Sequence, residues 1–149
     1  MSTLSRGEPP PKIKMSRKTA RDYAYKLIFE HLFAGGGQTQ SRDFVFEDST
    51  LTQDDRQYIA AATDGVMQNY DGLIALIRPF CTGFSLERMY KPDLAALLLA
   101  AYEIKHMPDI PYTVSVNECI ELVKTYSTQK SAGYVNGILA SIIAGTRTR

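Results

Sequence analysis

Apolar residues return every three or four positions through almost the whole of this chain, and no long run alternates with period two, so the pattern restricts it to helices. Ala20, Tyr23, Ala24, Leu27, Ile28 and His31 trace the first stripe, predicting a helix from Ser16 as N-cap to the triple glycine Gly35 to Gly37, read as a helix stop. Thr52 with Asp55 resembles a capping box and opens one long helix through Ile59, Ala62, Val66, Tyr70, Leu73 and Ile77, ending near Pro79. A short segment, Ser85 to Tyr90, precedes Pro92, which suits a first helical turn, and Leu94, Leu97, Leu98, Ala101 and Ile104 follow at helical spacing. Ser115 with Glu118 forms a capping box for a helix that buries Cys119, Ile120 and Val123, and this outweighs the brief alternation from Tyr112 to Val116. The last helix spans GYVNGILASIIAG, Gly133 to Gly145, with Tyr134, Val135, Ile138, Leu139 and Ile142 on one face. Residues 38–51 read as loop-like, but Phe44, Val45 and Phe46 must pack somewhere, a short helical turn being one way, and the structure of this segment stays open. The expected fold class is all-α.

A length of 149 residues suits one domain, and 44% hydrophobic with 22% charged residues is ordinary for a soluble globular chain. Residues 1–15, with Pro9 to Pro11 and few large apolar side chains, are expected to form a mobile tail ahead of a helical domain over 16–149. No apolar run reaches membrane-spanning length and the first residues lack the apolar middle of a secretory signal, so a cytoplasmic protein is expected. Cys81 and Cys119 have neither CxxC spacing nor a nearby histidine, and His31 and His106 have no nucleophile or ligand beside them. No metal, cofactor or enzymatic site is expected.

Charge is distributed unevenly although the net value is only +1. Between Met1 and Glu30 seven basic residues face three acidic ones, the asymmetry of a polyanion-binding end. Arg17, Arg21 and Tyr25 stand four apart on one helix, two guanidiniums that can grip phosphates and a ring that can stack on a base. The alternative is a solvated face: Lys18, Asp22, Lys26 and Glu30 alternate in sign, which explains the lysines but leaves Arg17 and Arg21 without acids on their own row.

Gly133 and Gly137 add a second anomaly, because glycine inside a helix costs about 1 kcal/mol relative to alanine. Two glycines one turn apart predict a close approach of this backbone to another helix or to a ligand, with Asn136 as a buried, hydrogen-bonded hook.

SRKTARDYAYKLIFEHLF, FSLERMYKPDLAALLLAAYEI and PYTVSVNECIELVKTYSTQKSAGYVNGIL, in this order, resemble the NusB family of bacterial transcription antitermination factors. The most specific matches are Asn117 and Glu118, the E-L-x-K of Glu121 to Lys124 and the Y-V-N-G of Tyr134 to Gly137. The resemblance implies an all-helical NusB-like fold of two small helical subdomains packed as one domain, without catalysis. It implies binding of boxA-type single-stranded RNA together with the ribosomal protein NusE, within an RNA polymerase antitermination complex. RNA-binding positions carried over by the resemblance are Arg17, Lys18, Arg21, Lys130 and Tyr134, the last as a stacking platform while Asn136 and Gly137 serve the fold. Partner-binding positions carried over are Phe29, Glu87 and Asp93. The chain departs from the family in its sparser arginine run and in Leu98 and Gly133, where relatives carry basic residues. Leu94 and Leu98 would then broaden an apolar surface, the basis for a homodimer. The alternatives are a purely protein-binding helical module and an RNA-binding accessory of the same fold.

Overall fold

Within residues 15–34, 39–83 and 85–147, which the computed structural model describes, the chain forms seven α-helices and no strand. They are α1 (Met15–Ala34), α2 (Thr39–Phe46), α3 (Gln53–Gln68), α4 (Tyr70–Ile77), α5 (Lys91–His106), α6 (Tyr112–Tyr126) and α7 (Gln129–Arg147). The tail ahead of Met15 and the Gly35 to Gly37 stop lie outside the described residues. Residues 39–46, in the segment whose structure the sequence leaves open, form α2, which buries Val45 and leaves Phe44 71% exposed.

Local chemistry sets several boundaries. Thr52 caps α3 as expected, its Oγ1 accepting from the Asp55 amide at 3.0 Å. The single long helix expected beyond it is broken at Asn69, whose backbone leaves the helical region and whose Nδ2 donates to the Gly65 carbonyl at 2.8 Å. A short polar side chain that competes for its own backbone ends the turn there. Ser115 is not a cap. The helix starts three residues earlier, behind Pro111, whose carbonyl accepts from the amides of Val114 and Ser115.

Helix α5 is the centre of the molecule. Every residue from Asp93 to Ala101 is buried, and the helix packs against α1, α3, α4, α6 and α7, the behaviour of a helix apolar on nearly all sides. Leu94 and Leu98 are 3% and 0% exposed, so they belong to the core and provide no apolar surface for a homodimer. One continuous core joins the α1–α3 group to the α4–α7 group.

The close helix approach predicted for α7 occurs elsewhere. A Cβ placed on Gly65 of α3 would lie 2.2 Å from Cζ of Tyr102 on α5, so only glycine leaves room for that ring. Gly133 and Gly137 are exposed, with nothing among the described residues within 4 Å of an added Cβ, and Asn136 between them is exposed as well. The buried face of α7 is made by Val135, Ile138, Leu139 and Ile142, as its periodicity predicts. Asn136 is therefore not a buried hook.

Candidate RNA and partner interfaces

The basic row of α1 has acidic partners after all, on other helices. Arg17 donates from Nε to Asp55 and from Nη2 to Asp54, both at 2.7 Å, and its guanidinium lies 4.7 Å from the centre of the Tyr58 ring. Lys18 Nζ bonds both oxygens of Glu118, at 2.9 and 3.1 Å. These two side chains still reach solvent, at 23% and 41% exposure.

Arg21 does not. It is 3% exposed, and its Nε donates to Glu103 Oε2 at 2.8 Å beneath the surface. Glu103, itself 1% exposed, also accepts from the Tyr58 hydroxyl and, at 2.8 Å, from Ser115 Oγ. The expected phosphate contact by Arg21 is thus replaced by a structural one: its charge neutralises a buried carboxylate and ties α1 to α5. Burial alone would favour losing the Arg21 proton, but the acidic groups Tyr58, Glu103 and Glu118 around it hold the proton more tightly than usual. Burial, followed by the neighbouring Glu103, pushes the Tyr58 hydroxyl well above the ordinary tyrosine range, so it stays a donor. Burial also works against the Asp55 carboxylate, yet its bonds to Ser16 and Arg17 hold it below the usual range.

A notch of about 210 Å³ between α1 and α6 is lined by Lys18 and Arg21 but also by Asp22, Glu118 and Glu121. Its acids cancel the attraction a phosphate would feel. Lys130, by contrast, is exposed in the first turn of α7 with no ion pair among the described residues. Tyr134, one turn on, is half-buried against the core, and burial together with Cys81 pushes its hydroxyl up to about 12. The structure thus places the candidates in two groups: Arg17, Lys18 and Arg21 along α1, with Arg21 paired to Glu103 in the C-terminal half of α5, and Lys130 and Tyr134 at the start of α7, which is tied to Asp93 in the first turn of α5.

Of the partner-binding positions, Phe29 is half-buried and Glu87 exposed, the latter in a two-pronged ion pair with Arg78 at 2.7 and 2.9 Å. Asp93 is 5% exposed and bonded to Ser131 Oγ at 2.8 Å, so it cannot meet a partner as an open carboxylate. Sequence reasoning missed Phe33, which is 66% exposed and packs edge-on to Phe29 at 4.9 Å. The signal was present in the spacing of Tyr25, Phe29 and Phe33 by four, which forms an aromatic row continued by Tyr126 stacked on Tyr25 at 5.1 Å. Nothing in the sequence linked Glu103 to Arg21. Among the described residues no group of three or more His, Cys, Asp or Glu side chains could hold a metal ion, and no helix is long and apolar enough to cross a membrane.

A model of the NusB family matches residues 18–144. The chain is 37% identical over 129 residues to the transcription antitermination protein NusB of Acetivibrio thermocellus, covering 87% of this chain and 89% of that protein. It is 38% identical over 128 residues to the protein of the same name from Listeria innocua serovar 6a, covering 86% and 96%. Among solved structures it is similar to T. maritima NusB, with a TM-score of 0.77, 30% identity and coverage of 87% of this chain and 92% of that one. The fold also matches a chain from the crystal structure of antitermination factors NusB and NusE in complex with dsRNA, with a TM-score of 0.78, 22% identity and coverage of 89% and 99%.

Proposed function

The chain belongs to the NusB family, and from that premise we propose that it is a cytoplasmic, non-catalytic transcription antitermination factor that binds boxA-type single-stranded RNA together with ribosomal protein NusE, as part of the RNA polymerase antitermination complex. The observation that carries this reading is the likeness over residues 18–144 to proteins of that name. The RNA face consists of Arg17, Lys18, Lys130 and Tyr134, with Arg21 supporting it from beneath. The NusE face draws on Phe29, Phe33 and Glu87: the exposed Phe33 packs on the half-buried Phe29, and Glu87 is an exposed carboxylate paired with Arg78.

Because most cations of α1 already have carboxylate partners, few phosphates can be neutralised without competition, and binding by the protein alone is weak. NusE strengthens it. Titration of a boxA-type oligonucleotide at several salt concentrations tests the reading. Affinity falls with salt by counterion release, and Lys130→Ala reduces the slope by about one unit. Binding indifferent to salt, or equally tight for unrelated duplex DNA, would falsify it.

A further inference from the structure

The turn between α6 and α7 is held by hydroxyl groups that converge on Ser131, whose own hydroxyl bonds the buried carboxylate of Asp93. Ser131 Oγ donates to Asp93 Oδ2 at 2.8 Å and accepts from Thr128 Oγ1 at 3.0 Å and from Ser127 Oγ at 3.3 Å. A hydroxyl has one donor and two acceptor sites, so Ser131 is fully engaged. Its backbone amide donates to Thr128 Oγ1 at 3.0 Å, which caps α7.

Asp93 lies in the first turn of α5, and its other oxygen has no hydrogen-bond partner among the described residues. Burying such a group is costly, but the carboxylate lies at the N-terminal turns of both α5 and α7, whose dipoles favour a negative charge. The residue before it holds the other side of the same turn: the Pro92 carbonyl accepts from the Tyr25 hydroxyl at 3.1 Å, and Tyr25 stacks on Tyr126, the last residue of α6. The first turn of α5 thus grips the α6–α7 connection from both ends.

We propose that Asp93 and Ser131 are a positioning pair for RNA binding: the buried carboxylate fixes the first turn of α7 and with it Lys130 and Tyr134. This rests on the RNA reading above. Neither residue touches RNA. A free-standing first turn would fray, and Lys130 and Tyr134 would have to be ordered during binding, which lowers affinity.

The test compares wild type with Ser131→Ala, Asp93→Ala and Asp93→Asn, each checked for folding by circular dichroism, in three measurements. These are boxA-type RNA affinity, NusE affinity without RNA, and hydrogen exchange of the amides of residues 129–134 without either ligand. Ser131→Ala and Asp93→Ala accelerate exchange in that turn and weaken RNA binding about three- to tenfold, while NusE affinity stays within about twofold. Asp93→Asn, which keeps an acceptor for Ser131, recovers RNA affinity. Should Asp93→Ala fail to fold, Ser131→Ala with Asp93→Asn still decides. Wild-type exchange rates in Ser131→Ala, or faster exchange with undiminished RNA affinity, overturn the pair. If wild type ignores the oligonucleotide, the RNA reading itself is overturned, while accelerated exchange in Ser131→Ala still supports Asp93 and Ser131 as the fixers of the turn.

Discussion

The first half of α1 and the outer face of α7 have exchanged the roles their sequences suggest. Arg17 and Arg21 read as an open phosphate-binding row, yet Arg21 is buried against Glu103 and Arg17 is held by Asp54 and Asp55. Gly133, Asn136 and Gly137 read as a buried junction, yet all three face solvent. The difference shows that a charge or a small residue acquires its role from what the rest of the chain places opposite it. For α1 that is a set of acids on α3, α5 and α6. For the outer face of α7, among the described residues, it is nothing.

The largest effect is expected at Arg21. Arg21→Ala leaves Glu103 buried without its cation, and removing one partner of a buried pair costs roughly 3 to 5 kcal/mol. For a domain of this size that lowers the melting temperature by about 10 °C, readable by thermal denaturation. A variant that melts like wild type but loses RNA would return Arg21 to the RNA face.

The glycines give the next effect, with opposite signs at two positions. Gly65→Ala drives a methyl into the Tyr102 ring and is expected to destabilise by about 1 to 3 kcal/mol. Gly137→Ala meets open space on a helix and is expected to stabilise by about 0.5 to 1 kcal/mol. Urea denaturation of the two variants checks both; equal signs would mean that α7 packs more closely than its surroundings indicate.

Smallest is Asn136→Ala. An exposed helical asparagine away from any cap changes stability by less than about 0.5 kcal/mol. A loss of 1 kcal/mol or more in the same denaturation experiment would restore the buried hook.

How far the sequence reaches can be seen residue by residue. The stripe Val135, Ile138, Leu139 and Ile142 and the Thr52 cap depend on neighbours within a turn or two, and both are legible. The break at Asn69 is local too, but nothing distinguishes that asparagine from a tolerated one until its side chain is seen bonding the Gly65 carbonyl. Ser115 shows the opposite error. Its spacing to Glu118 fits a capping box, while its hydroxyl serves Glu103 and Glu118 serves Lys18. Of the candidate site, Lys130 is exposed and Phe29 half-buried, whereas Arg21 and Asp93 lie beneath the surface.

By itself, the sequence determined that this protein is helical, which faces of its helices turn inward, and through its motifs the family to which it belongs. Helicity and inward faces arise from contacts three or four residues apart, which recur in any helix, and the family from motifs read directly off the residues. Only the tertiary structure decided which charges are available. Arg17 finds Asp54 37 residues away, Arg21 finds Glu103 82 residues away, and Lys18 finds Glu118 100 residues away. No spacing rule spans such separations, because the distance between those groups is set by how α1, α3, α5 and α6 pack around one core.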